Sequence, residues 1–302
     1  MSEHNLAFSA KPLFYDVGSH HVHRVDTLRD WYYDRFKKHI SLLLEQKRSR
    51  KVDSSKGRLN PRALHKHRFC DAIFQKHVTA TSSDTTIVFL IDGSGSMSCT
   101  NKTPVGDVEA IGICGAVASA FAKANMTVLK NKIPVEVFVK SAPTTWGPQL
   151  TGTENGGMVC LSRVFSSNKR GLDFDKLLRL TTCSPIEQDN GCCVGSYTSE
   201  YAVLPALNKW IKKNVKTKKC IVFNLTDGEA YCTLGTDQYQ FRSDDTKAMR
   251  LKYLRGLPNL TLMLGRSNSN VERMKDVYGD NLVVAEDDFS GALFRAFAGF
   301  LA

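Results

Sequence analysis

The chain has 302 residues, of which 42% are hydrophobic and 24% charged, values that exclude wholesale disorder and a fibrous class and leave room for a sizeable core. Lys and Arg together number 41 against 30 Asp and Glu, a formal charge of +11, which points to an acidic partner, either nucleic acid or an acidic protein face. No apolar run reaches the ~18 residues of a membrane-spanning helix.

The first twenty residues, "MSEHNLAFSAKPLFYDVGSH", lack a basic segment followed by a continuous apolar one, so no secretory signal and a cytoplasmic location are expected. From Asp26 to Lys47 the residues Leu28, Trp31, Tyr32, Phe36, Ile40, Leu43 and Leu44 recur at helical intervals and predict one buried helix face. The polar run "RSRKVDSSKG" predicts a flexible connection. Asn60 followed by Pro61 then starts a second helix, with Leu64, Phe69, Ile73 and Phe74 on its buried side. The Lys- and Arg-rich stretch from Lys37 to Arg68 has none of the aromatic interleaving of a base-stacking platform, so it reads as a solvated face or a docking surface. Residues 1–83 are thus a basic, mainly helical N-terminal extension.

Beyond Asp84 short β-branched runs alternate with helical patterns, the mark of βα units feeding a largely parallel sheet. The strands expected are "TTIVFLI", "IPVEVFV", "GMVCLSRVF", "KCIVFNL", "LTLML" and "NLVVA"; the first and fourth are nearly continuous in apolar character, as in strands covered on both faces. A long helix is predicted over Val105–Leu129, with its Gly106, Gly112 and Gly115 explained by close packing on the sheet. Further helices fit 173–180, 199–213, 243–254, 270–278 and 289–301. Residues 84–302 therefore form one α/β domain, Rossmann-like, with a mostly parallel central sheet flanked by helices. The nine cysteines include no C-x-x-C pair, and reduced, mostly buried thiols are expected.

The run "IVFLIDGSGSMS" sends a buried strand into Asp92, Ser94 and Ser96. A serine nucleophile needs a base, usually histidine, yet all eight histidines lie at or before His77, and the G-x-S-x-G elbow is missing. Neither a Walker-type loop nor a strand-borne G-x-G-x-x-G is present, so a phosphate cradle is excluded as well. Hydroxyl oxygens on a glycine-loosened turn, with an aspartate behind them, suit a hard cation such as Mg²⁺ or Mn²⁺. Two hydroxyls bind weakly, so other loops must contribute. "KCIVFNLTDGEA" ends a second buried strand in Asp227, and Thr198 begins a helix after "CCVGSY". Each residue also has a plainer role: helix capping for Ser96 and Thr198, a turn for Asp227.

Asp92, Ser94 and Ser96 as D-x-S-x-S, followed by Thr198 and by Asp227 in "TDG", resemble the metal-ion-dependent adhesion site of von Willebrand factor A (VWA) domains. More narrowly, "GRLNPRALHKHRFCDAIFQKHVTATSSDTTIVFLIDGSGSMS", "NLTDGEA" and "NLVVAEDDFSGALFRAFAGFL" resemble the C-terminal VWA part of the cobaltochelatase subunit CobT, over roughly Gly57 to Ala302. The resemblance implies one divalent ion, Mg²⁺ or Mn²⁺, held by Ser94, Ser96 and Thr198, with Asp92 and Asp227 acting directly or through water. It further implies an open coordination position for a partner's carboxylate, and an AAA+ ATPase of the CobS or MoxR type as that partner. The function so implied is a metal-dependent interaction module, non-catalytic by itself, that couples an ATPase to client remodelling or metal chelation. The alternative is a nucleic-acid-associated protein or metal-dependent hydrolase using the basic N-terminal region.

Overall fold

The computed structural model describes residues 19–48, 51–54, 58–59, 74–77, 85–130, 133–141, 160–167, 200–227, 232–234, 237–239, 243–264 and 268–285. Helix α1 (Ser19–Arg48) leads to three short strands, β1 (Lys51–Ser54), β2 (Arg58–Leu59) and β3 (Phe74–His77), joined in the order β1-β3-β2. Then follow β4 (Thr85–Asp92), the hairpin β5 (Thr100–Thr103) and β6 (Gly106–Glu109), α2 (Ala110–Thr127), β7 (Val135–Ser141) and β8 (Cys160–Ser166). The remainder comprises α3 (Glu200–Asn214), β9 (Lys219–Thr226), β10 (Cys232–Leu234), β11 (Asp237–Tyr239), α4 (Ser243–Tyr253), β12 (Asn259–Leu264), α5 (Asn268–Tyr278) and β13 (Leu282–Ala285).

Six strands form the central sheet in the order β13-β12-β9-β4-β7-β8. Every pairing is parallel except that of the edge strand β8 with β7. The expected Rossmann-like α/β architecture, a mostly parallel sheet flanked by helices with an N-terminal helix beside it, is therefore what the chain adopts. From the β4–β9 pair the chain winds outward in both directions, through β7 and β8 on one side and β12 and β13 on the other. Such a reversal leaves a crevice above the carboxyl ends of the two middle strands.

All eight residues of β4 are buried, because alternate side chains enter two separate cores. Ile87, Phe89 and Ile91 join Phe223 and Leu225 of β9 and the length of α2 on one face. Val88 and Leu90 join Phe138 and the α3 residues Val203, Leu204, Leu207 and Ile211 on the other. Helix α2 is apolar over most of its surface, and all but Lys123, Met126 and Thr127 of its residues are buried, as in a helix covered on more than one side. Sheet lies beneath it and α1 above it. Val25, Leu28, Tyr32 and Phe36, spaced by three and four, form the buried face of α1. Phe36 meets Phe121 edge to face at 5.5 Å between centroids, and Phe121 meets Phe89 at 5.8 Å. Side chains of this kind contribute about 1.5–3 kcal/mol each on leaving water. The ion pair of Lys123 with Asp30 at 2.7 Å and the Tyr33–Thr127 hydroxyl contact at 3.0 Å tie the rims of the two helices together.

Three local expectations are corrected. Helix α2 begins at Ala110, since residues 100–109 pair with themselves as the β5–β6 hairpin. Gly106 belongs to that hairpin, where φ of +107° requires a residue without a Cβ. Within "RSRKVDSSKG", Lys51–Ser54 is a strand paired with β3, its backbone groups satisfied by a ladder rather than by water. Phe74 lies in that partner strand β3 and not on a helix, while residues 60–73 lie outside the described residues, as do 173–180 and 289–301. No helix among the described residues is long and apolar enough to cross a membrane.

Candidate metal centre

The chain register puts polar side chains from three neighbouring strands at one level. Asp92, the last residue of β4, is opposite Lys140 of β7, and the pairing of Ile91 with Leu225 brings Thr226 of β9 level with it on the other side. All three are buried. Their position is the carboxyl end of the two strands at which the winding reverses, where βα loops converge.

Asp92 organises the turn that follows it. Its Oδ1 accepts a hydrogen bond from the backbone N–H of Ser94 at 2.9 Å. Its Oδ2 accepts one from the Thr226 hydroxyl at 2.5 Å and lies 3.7 Å from Lys140 Nζ. Beyond Ser94 the chain makes a 3-10 turn over Gly95–Ser98, closed by Met97 N–H donating to Ser94 O at 3.1 Å and Cys99 N–H to Ser96 O at 3.1 Å. The Met97 side chain is buried in the core shared with α2 and pins the turn from below. Ser94 and Ser96 thereby point to a common place, their Oγ atoms 2.9 Å apart.

Asp227 follows directly after β9, and the Ser96 hydroxyl hydrogen-bonds its carboxylate. Its Oδ1 is buried and accepts no hydrogen bond. An unsatisfied buried carboxylate oxygen is costly, and such atoms in native structures call for a partner. Burial, and after it the charge of Asp92, push the Asp227 carboxyl from the ordinary 3.8 up to about 6, against the opposing pull of Ser96, Lys140 and a backbone N–H. Two thiols register the same negative field. Cys114, fully buried in α2, is pushed well above its usual value by desolvation and then by Asp92 and Asp227. Cys99, beside the turn, is raised by burial and by Asp227. Neither thiol is therefore activated as a nucleophile.

Of the five residues that the sequence singles out, the structure brings four together: Asp92, Ser94, Ser96 and Asp227. Thr198 lies outside the described residues. Sequence reasoning missed Thr226 and Lys140. Neither carried a signal of its own: Lys140 closes "VEVFVK" as a solvated lysine would, and Thr226 stood next to a residue already chosen. Among the described residues no three His, Cys, Asp or Glu side chains gather as a metal-binding group, so an ion held here would draw on hydroxyl oxygens as well as carboxylates.

No protein-family model and no curated protein sequence matches the chain. Solved structures of related outline include the pilus adhesin SpaC from Lactobacillus rhamnosus GG, with 14% identity, a TM-score of 0.42, and coverage of 72% of this chain and 30% of the adhesin. The adhesive tip pilin GBS104 from Group B Streptococcus agalactiae has 12% identity, a TM-score of 0.44, and coverage of 72% of this chain and 99% of the pilin. The SpRpn10 VWA domain has 9% identity, a TM-score of 0.37, and coverage of 69% and 93%. This chain thus spans less than a third of SpaC.

Proposed function

We propose that this chain is a VWA-type interaction module whose turn after β4 and loop after β9 hold one Mg²⁺ or Mn²⁺ ion. Ser94, Ser96 and Asp227 would hold the ion, Asp92 would act from behind or through water, and Thr198 would add a further oxygen. The observation that carries this reading is the buried, unpartnered Oδ1 of Asp227 beside two hydroxyls whose oxygens are 2.9 Å apart. Hard oxygen donors of this kind suit hard divalent cations and not zinc or copper. When bound, the ion would supply a Lewis-acidic position for one oxygen of an acidic side chain on a partner.

This chain's own residues shape that position. The Asp92–Ser94 hydrogen bond fixes the turn, Met97 locks it to the core, and Thr226 keeps the Asp92 carboxylate from rotating. Together with the CobT-like stretches of the sequence, this supports a partner of the AAA+ ATPase class that presents a Glu or Asp, with ATP hydrolysis on the partner's side and client remodelling or metal chelation as the outcome. The expected role is therefore docking rather than catalysis.

Titration with MgCl₂ or MnCl₂ under a thermal unfolding assay tests the ion. A ligand bound only by the folded state adds ~2.7 kcal/mol at a hundred times its Kd, so Tm is expected to rise with metal and to return with a chelator. Asp227→Asn is expected to lose the response while staying folded. A melting curve that does not move at millimolar metal would sink the reading.

A further inference from the structure

Helix α3 and the turn after it carry a second surface, at the opposite end of the sheet from the candidate metal centre. Lys209, Lys212, Lys213 and Lys216 recur at i, i+3, i+4 and i+7, the spacing of one helix face. That face is turned away from the buried Leu204, Leu207 and Ile211, and all four lysines are exposed. At 1.5 Å per residue they span about 10 Å along the axis. Lys218 and Lys219 follow, also exposed, at the start of β9. Their turn is held in place: Thr217 Oγ1 donates to Lys219 O at 2.8 Å and meets Thr86 Oγ1 of β4 at 2.8 Å.

Helix α4 widens the surface. Asn208 of α3 donates to Tyr253 O of α4, which brings the exposed Lys252 and Arg255 alongside. No acidic residue occurs from Tyr201 to Thr226 or from Thr246 to Val271. Lysines elsewhere do find carboxylates, Lys123 with Asp30 and Lys247 with Asp276. Among the described residues no carboxylate lies within ion-pair distance of the lysines of α3 and its turn.

We infer that this surface binds the phosphate backbone of duplex DNA without reading its sequence. A protein partner would need an apolar, aromatic-rich centre, and a membrane an apolar face to insert. Among the described residues of α3 and α4 the one exposed large apolar side chain is Leu251. Trp210, between Lys209 and Lys212, is packed on Phe138 at 4.8 Å and on the Arg163 guanidinium at 5.2 Å, so it offers no platform for an unpaired base. Interfaces with DNA are the more polar and strongly positive kind. B-form DNA carries one charge per ~1.7 Å of axis, so a lysine stripe of this length faces several phosphates at once. Its major groove, about 12 Å wide, has room for a helix between the phosphate walls, whereas the groove of A-form RNA is too narrow. Lysine supplies point charges, which position a duplex and carry no base specificity. The inference is independent of the metal-site reading and of the basic stretch from Lys37 to Arg68.

The test is fluorescence anisotropy of a labelled DNA duplex of about 20 base pairs, titrated with the full chain in NaCl from about 50 to about 200 mM. Contact with about five phosphates gives log affinity against log salt a slope of about −4 to −5, so wild type is expected to weaken at least about a hundredfold across that range. The variant carrying Lys212→Gln, Lys213→Gln and Lys216→Gln, its fold checked by an unchanged Tm, is expected to bind at least about tenfold more weakly at the lower salt, with a slope shallower by about 2–3. Lys37→Gln with Lys38→Gln, on the exposed side of α1, is expected to leave the slope as it is. No binding at the lower salt, a wild-type slope in the triple variant, or an equal loss from the α1 pair would overturn the inference. Poly-L-glutamate that competes as well as unlabelled DNA at equal charge would replace DNA by an acidic protein segment, and an RNA duplex that binds as tightly would overturn the assignment to B-form DNA.

Discussion

The two ends of the central strands carry charge in opposite states. At the carboxyl end, Asp92 and Lys140 are buried against each other, and Asp227 is half-buried with one oxygen unpartnered. At the amino end, where α3 turns into β9, Lys209, Lys212, Lys213, Lys216, Lys218 and Lys219 are all exposed and no acidic residue interrupts them. Among the described residues the second end carries the larger net charge. Exposed charges interact through water with an effective range of about 8 Å at physiological salt, and are worth little to stability individually. Among the described residues buried charges are few, and Asp92 and Lys140 are held against each other. Net charge therefore marks a surface that acts through solvent, and burial marks a site built from specific neighbours.

The largest test of that contrast is Asp92→Ala. It removes the carboxylate that lies beside the buried Lys140 ammonium and accepts hydrogen bonds from the Ser94 N–H and the Thr226 hydroxyl, so a loss of about 3–5 kcal/mol is expected in urea unfolding. A loss under about 1 kcal/mol would mean that Asp92 and Lys140 are solvated, as the lysines at the other end are. Thr226→Val keeps the shape and removes only the hydroxyl that donates to Asp92, and about 1.5–3 kcal/mol is expected, the range for hydrogen bonds to charged groups.

Asp227→Asn should act in the opposite direction in metal-free buffer. The folded protein holds the Asp227 proton up to about 6 while the unfolded chain releases it near 3.8. The folded state therefore binds more protons within that window, and wild-type stability falls as pH rises from the lower value to the upper and then levels off. Asparagine removes that dependence. A gain on the order of 1–2 kcal/mol above the upper value, after discounting for partial exposure, is expected from denaturation at a series of pH values, and none well below the lower. A profile unchanged by the substitution would place the carboxylate in water. The smallest effect belongs to the amino end: Lys213→Glu and Lys216→Glu are each expected to change stability by less than about 0.5 kcal/mol, with what change there is vanishing in high salt. A larger effect there would erase the contrast.

Strands β4 and β9 were legible because a strand buried on both faces has to be apolar throughout, and nothing else in the chain reads as "TTIVFLI" or "KCIVFNL". The buried stripe of α1 was legible for the matching reason, its period of three and four. The start of α2 was not, since Val105 and Val108 continue the helical spacing of the residues after them while Val105 sits in the turn of a hairpin and Val108 pairs across it with Asn101. Periodicity records which side chains are apolar and not which hydrogen bonds the backbone makes. Four of the candidate site residues were readable from their places at strand ends; Lys140 was not, because "VEVFVK" has no feature that tells a buried terminal lysine from a solvated one.

What the sequence determined alone is the α/β layering and the identity of the turn after β4, since local apolar runs and an Asp-x-Ser-x-Ser pattern are properties of contiguous residues. What tertiary structure decided is which strand lies beside which. Only the β9-β4-β7 order sets Thr226, Asp92 and Lys140 at one level and leaves Asp227 Oδ1 buried without a donor. Electrostatic interactions depend on distance through space and on exclusion of water, and neither quantity exists until residues 92, 140 and 227 have been packed together.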